Sequence, residues 1–418
     1  MSESSSASNQ PVTLRSVGLR IYAPSLAYGL GQGAIAPIIA LSARDLGASL
    51  GTAGFIVTLL GLGQLVADVP AGALAGRIGE RRAMLAAGGV IALALVICLS
   101  APYVWVLGLG IFAIGLAGAV WMLARQAYIT EVVPYELRAR ALSTLGGASR
   151  IGTFVGPFVG AGAVHLIGIR GPFLLFILTV LVALVVIFRL PDPPGSTSGS
   201  AGRGGVLAVL RMVREAFPVL RTLGIGILLV GAIRASRQVV IPLWAEHIGL
   251  DASTTSLIFG VAGAVDMLLF YPAGVLMDRR GRNWVAVPSM GLLGLSVLVL
   301  PLTGNLVSLA AVAVLIGIGN GLGSGLVMTL GADLAPADRR PEFLGAWRLC
   351  ADTGNAFGPV TVSTVGSVVA LWAGISVIGV VGLLAAGMLG YWIPRVGGQP
   401  LPSRVQPQDS GNNTESAR

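Results

Sequence analysis

Pro272-Ala273-Gly274-Val275-Leu276-Met277-Asp278-Arg279-Arg280-Gly281-Arg282 restates, 202 residues on, the pattern of Pro70-Ala71-Gly72-Ala73-Leu74-Ala75-Gly76-Arg77-Ile78-Gly79-Glu80. The same offset relates Pro134 to Pro336, Gly152 to Gly354 and Gly156-Pro157 to Gly358-Pro359. A chain that carries one long pattern twice, in register, is built from two related halves.

Composition names the medium. Hydrophobic residues make up 55% of the 418 residues and charged residues 11%, against about 25% charge in a soluble domain. Twelve apolar stretches reach the length of about 20 residues that a membrane-crossing helix needs. They lie near 17–41, 50–75, 83–101, 103–130, 140–168, 171–189, 219–243, 253–276, 284–303, 306–333, 344–370 and 372–394. The expected organisation is a disordered N-terminal tail (1–14), a six-helix bundle (15–190), a Pro/Gly/Ser-rich linker (191–218), a second six-helix bundle (219–395) and a disordered tail (396–418). No cleavable signal pattern is present in the first residues. Arg211, Arg214 and Arg221 give the end of the linker a basic, amphipathic character suited to a membrane surface.

All 27 basic residues other than histidine are arginines, and the net charge is +9. They sit in short loops between apolar stretches, which argues against a nucleic-acid partner and sets topology instead. With both termini in the cytoplasm, twenty arginines fall in cytoplasmic segments, two (Arg44, Arg170) in outer loops and five within spans. A multi-pass protein of the inner (plasma) membrane with cytoplasmic termini is predicted. Cys98 and Cys350 each lie in an apolar stretch, so neither a disulfide nor a metal site is expected. No nucleotide-binding loop, metal-ligand cluster or nucleophile constellation appears, so neither an enzyme nor a resident cofactor is expected. A duplicated membrane domain is the architecture in which two halves rock around one central site, which points to transport of a small molecule.

The two quoted loops resemble the signature loop of the major facilitator superfamily. The second is the fuller match, because Gly76 stands where an acidic residue is usual. Gly152-Thr153-Phe154-Val155-Gly156-Pro157-Phe158-Val159-Gly160 is similar to the motif of that superfamily's drug:proton antiporters, and Gly354-Asn355-Ala356-Phe357-Gly358-Pro359 echoes part of it. The resemblance covers roughly Leu19 to Pro394. It implies an all-α membrane fold of two pseudo-symmetric six-helix bundles, alternating access, and proton-coupled efflux of small amphiphilic compounds by what is expected to be a monomer. The arginine that these exporters usually carry early in span four is missing, with Gly110 or Ile111 at that place, and span one has no acid.

Arg77 with Glu131, and Arg279 with Asp333, occupy matching places in the repeat, so both pairs are expected to act as gating latches, with Asp278 beside the second. Gly152, Gly156, Pro157, Gly160, Gly358 and Pro359 suit a helix kink or close helix packing. Charge inside a bilayer costs about 2.5–3.5 kcal/mol per residue and so faces a cavity. Asp68, Arg125, Arg150, Arg234, Arg237, Asp266, Arg348 and Asp352 qualify, and spans three, six, nine and twelve contain none. Arg150 and Asp352 are equivalent in the repeat and read either as a facing pair around a ligand or as a plain salt bridge. Asp68 and Asp266 are the expected proton sites, because desolvation favours the neutral carboxyl, unless an arginine such as Arg125 neutralises them. Trp121, Arg125 and Tyr128 share one helical face beside Gln126, a stripe suited to an aromatic or anionic ligand or simply to packing. Gln32, Asn320 and Asn355 are neutral candidates for the lining, whereas His165 and His247 fall near outer helix ends. Five arginines against three aspartates within the spans keep open a carrier of organic anions or an anionic lipid-linked metabolite, including an importer.

Overall fold

The computed structural model describes residues 14–133, 135–190, 206–336 and 340–396. The two tails, most of the linker and Pro134 lie outside them. The helices are α1 (Leu14–Ile35), α2 (Ile38–Asp45), α3 (Leu50–Ile78), α4 (Glu80–Leu99), α5 (Val104–Val132), α6 (Tyr135–Ile167), α7 (Gly171–Phe188), α8 (Val206–Glu215), α9 (Phe217–Val219), α10 (Ile225–His247), α11 (Ala252–Arg280), α12 (Asn283–Val299), α13 (Leu306–Leu322), α14 (Leu326–Leu334), α15 (Arg340–Val368) and α16 (Leu371–Val396). No strand occurs among the described residues.

Among the described residues ten helical spans are long and apolar enough to cross a membrane, and α1 with α2, bent by 44° at their junction, make an eleventh. The one expected span not among them, 344–370, is α15. It has the length, 29 residues, but Arg348, Asp352, Thr353 and Asn355 make it more polar than the others. Breaks fall where the backbone chemistry puts them. Pro37 has no N–H to continue the helix between α1 and α2. Gly325, at φ +88°, starts α14 after a short interruption of the tenth stretch. The two signature loops turn at Gly79 and Gly281, with φ of +85° and +91°, a conformation that side chains with a Cβ resist.

The 202-residue repeat is visible in the packing. In the first half α1 packs on α6 and α7, α5 on α3 and α4, and α4 on α7; in the second, α10 packs on α15 and α16, α13 on α11 and α12, and α12 on α16. The equivalence extends to single atoms. A Cβ on Gly152 would collide with Leu26 O, and one on Gly354 with Leu228 O, each position 202 residues after its counterpart. Gly156 against Leu30 O and Gly358 against Ala232 O repeat the relation one turn later. These glycines let α6 and α15 lie directly on the backbones of α1 and α10. Both helices continue unbroken through Pro157 and Pro359, and the glycines of the motif set the close packing of their backbones.

Across the halves α3 meets α15 and α6 meets α11, two contacts that the repeat exchanges for each other. On the face away from the chain termini the halves are in contact. Gly51 and Gly54 of α3 face Ser367 and Ser363 of α15, and Ser253 Oγ of α11 donates to Ala161 O of α6 at 3.0 Å.

Candidate functional site

Between the halves lies a cavity of about 290 Å³. Its first-half wall is neutral, formed by Gln32 of α1 and Val57, Leu60 and Gln64 of α3. The second-half wall is charged. Arg234 Nε donates to Asn320 Oδ1 at 2.8 Å and Nη1 to Gly323 O at 3.4 Å. Arg237 Nη1 reaches Asp266 Oδ2 at 3.0 Å, and Asn320 Nδ2 reaches the same oxygen at 2.5 Å. Gln32 and Arg234 are equivalent in the repeat, as are Gln64 and Asp266. The duplication has kept the positions and charged only one copy.

Arg150, on α6 of the first half, is not among the residues that line the cavity and instead reaches across to the second half. Its guanidinium lies 3.8 Å above the Phe270 ring, and Nη1 reaches Ser324 Oγ at 3.4 Å. Arg150 does not face Asp352, as their equivalence suggested. Asp352 takes Arg348 Nε at 3.1 Å and Asn355 Nδ2 at 3.4 Å. Arg348 Nη2 is also 3.7 Å from Asp68, whose carboxyl meets that of Asp352. Asp68 is therefore joined to Asp352 and Arg348, and Arg125 takes no part in neutralising it. The separation follows from the pseudo-symmetry: Arg150 with Phe270 at the α6–α11 contact is the counterpart of Asp352 with Asp68 at the α15–α3 contact.

The aromatic stripe does not line this cavity. Trp121, Arg125 and Tyr128 do share a face, but it points into the first bundle, where Tyr28 stacks on Trp121 at 5.4 Å. Gln126 is exposed on another side of α5.

The latches also differ from expectation. Asp333 is held by Arg282, through Nε at 2.7 Å and Nη2 at 3.3 Å, and not by Arg279, which is exposed. Asp278 lies 3.8 Å from the same Arg282. Once Gly281 ends α11, Arg282 is the residue that turns back toward α14. The paired carboxylates hold its guanidinium above the ordinary value. Arg77 and Glu131 are both exposed, and no ion pair joins them. His165 and His247 are exposed, the latter against Trp244 at 4.8 Å.

One contact was not anticipated. Arg44 Nε bonds both oxygens of Glu246, at 3.1 and 3.3 Å, while Nη1 bonds Ala48 O. The pair ties α2 to the end of α10 on the closed face, and its two residues stand 202 apart. The equivalence of the two positions was the available signal.

Among the described residues no group of His, Cys, Asp and Glu is placed to hold a metal, and Cys98 and Cys350 are free. What the site offers is a compartment between two halves, charged on one side and carrying a separate carboxyl pair at the interface.

The comparisons with known proteins agree with this architecture. The chain is 28% identical over 345 residues to multidrug resistance protein MdtH of Cronobacter sakazakii, an alignment that covers 79% of this chain and 81% of that protein. Its fold is similar to that of a bacterial homologue of the human lysosomal transporter Spinster in an inward-facing conformation, with a TM-score of 0.76 at 14% identity over 91% of this chain and 97% of that one. It is similar too to a D-xylose-proton symporter, with a TM-score of 0.73 at 17% identity over 93% and 100%. The sequence model of the Major Facilitator Superfamily matches residues 25–359 and 223–410, and the chain belongs to that superfamily of multi-pass membrane transporters.

Proposed function

We propose that this transporter exports small amphiphilic compounds in exchange for protons, exposing the cavity between its halves to each side of the membrane in turn. The observation that carries the reading is the cavity itself, with a neutral, partly apolar wall facing a charged one, so that a ligand with an apolar body and a polar end finds a partner for each. The relation to MdtH supports export of drug-like compounds. We place both termini in the cytoplasm of an inner-membrane protein, on the arginine distribution, and take the monomer as the working unit.

The proton belongs, on this reading, to the carboxyls of Asp68 and Asp352 beside the fixed charge of Arg348. Two carboxylates against one guanidinium leave a net negative charge that one proton removes, whereas Asp266 already has two donors on a single oxygen. Proteoliposomes carrying the wild-type protein should move an amphiphilic dye faster under an imposed pH gradient, and Asp68→Asn or Asp352→Asn should abolish that dependence. Equal rates with and without the gradient in the wild type would overturn proton coupling.

A second reading is favoured by one observation. Arg150, Arg234 and Arg237 surround a single acid, Asp266, in the central region, and the excess of positive charge attracts anions. A panel in which organic carboxylates move and cationic dyes do not would establish this reading in place of the first.

A further inference from the structure

Arg211, Arg214 and Arg221 lead into the second bundle along α8, α9 and the turn Leu220–Gly224 that opens α10. All three are exposed, and none has a hydrogen bond or ion pair among the described residues. Between them Met212, Ala216, Val219 and Leu220 are buried, and α8 packs on α15. The segment therefore has a held side and a free side, and the free side carries three positive charges against one exposed acid, Glu215. Its level in the bilayer is set by its neighbours. An apolar span begins at Phe217. That ring, 57% exposed, stands between Arg214 and Arg221, and the exposed Ile225 follows one turn later on α10.

An aromatic ring flanked by arginines, with aliphatic surface beyond, matches the passage from lipid headgroups into acyl chains. The repeat does not require these charges. The corresponding stretch of the first half, 9–19, contains one arginine, Arg15, so orienting the first span of a half does not by itself call for three. We propose that this stripe is a docking surface for anionic phospholipid, in which Arg211, Arg214 and Arg221 take the phosphates of adjacent headgroups while Phe217 enters the acyl boundary. A guanidinium pairs with phosphate oxygens through two parallel N–H bonds, and each basic residue at an anionic surface strengthens association about fivefold. Because α8 rests on α15, lipid held here fastens the start of the second bundle and stabilises the fold.

The experiment is thermal unfolding of the full-length protein in nanodiscs of phosphatidylcholine with a rising fraction of phosphatidylglycerol, together with native mass spectrometry to count the lipids retained. The wild type should gain about 2 °C or more in Tm, saturably, and retain phosphatidylglycerol in preference to phosphatidylcholine. Arg211→Gln, Arg214→Gln and Arg221→Gln together should lose at least half of that gain and retain fewer phosphatidylglycerol molecules. Arg211→Lys, Arg214→Lys and Arg221→Lys together should keep most of both, which a purely structural role for the arginines would not predict. Arg82→Gln, Arg170→Gln and Arg189→Gln, three exposed arginines elsewhere, should leave the gain intact. Should the triple glutamine variant not fold, Arg214→Gln alone should weaken phosphatidylglycerol retention about fivefold. A gain undiminished in the glutamine variants, a gain lost equally in the control, or a wild-type Tm indifferent to phosphatidylglycerol overturns the surface. The same gain produced by soluble polyglutamate in neutral detergent overturns it too, in favour of an acidic protein partner.

Discussion

Asp333 has two arginines within a few residues of one another to choose from, and backbone geometry decides between them. Arg279 is still on the helix, whereas Arg282 follows the left-handed Gly281 and returns to the carboxylate. Arg282→Ala should therefore lower Tm more than Arg279→Ala, and a double-mutant cycle with Asp333→Ala should give a coupling of about 1 kcal/mol for Arg282 and none for Arg279. The repeat alone could not show this, since it identifies equivalent positions but not the direction in which a chain leaves a helix end. Asp251 is a second case. It caps α11, accepting from Ser253 N and Thr254 N at 2.9 and 3.0 Å, and the Thr254 hydroxyl and these amides hold its carboxyl below the usual range. A depressed carboxyl contributes stability above its unfolded value, near about 3.9, and loses it as pH falls through the folded one. Asp251→Ala should thus cost about 1 kcal/mol at pH 7, a deficit that shrinks toward zero in acid, as unfolding at pH 7 and below pH 4 will show.

Helices were legible from the sequence because apolar length is written along the chain, and their breaks less so. The Gly-Pro runs suited either a kink or close packing; α6 and α15 continue through them, and the chain breaks at Pro37 and before Gly325. A proline in a helix surrounded by partners can be absorbed, whereas one that begins a new segment cannot. What the glycines secure is distance between backbones. Gly354→Ala should destabilise by about 1–3 kcal/mol, since the added methyl meets the carbonyl of Leu228, which cannot move without its helix. Gly162→Ala on α6, where a Cβ meets nothing within 4 Å, should be neutral or gain up to about 1 kcal/mol in helix propensity. Thermal unfolding in detergent distinguishes the two.

For the whole molecule, the duplication, the two-bundle fold and the gathering of intramembrane charge away from the outer helices could be read from the sequence, because period and cost are properties of single residues. The partners of those charges could not, because Asp68 meets Asp352, and Arg234 meets Asn320, only when separate helices are packed. The clasp between Arg44 and Glu246 belongs to this scale, since it must open if the closed face is to part. Each member is about one-third exposed (33% side-chain accessibility for both), so its worth is about 0.2–1 kcal/mol, a shift of roughly 1.4- to 5-fold between two conformations. Glu246→Gln should raise the labelling rate of a cysteine introduced at Ser363 by about that factor, and the charge-reversed double variant Arg44→Glu with Glu246→Arg should restore it. The same clasp also bears on ancestry. If the halves descend from identical subunits that once met face to face, that forerunner would have set like against like at this spot, two cations or two anions repelling each other. Attraction there became available only after one polypeptide held both copies and each could drift on its own.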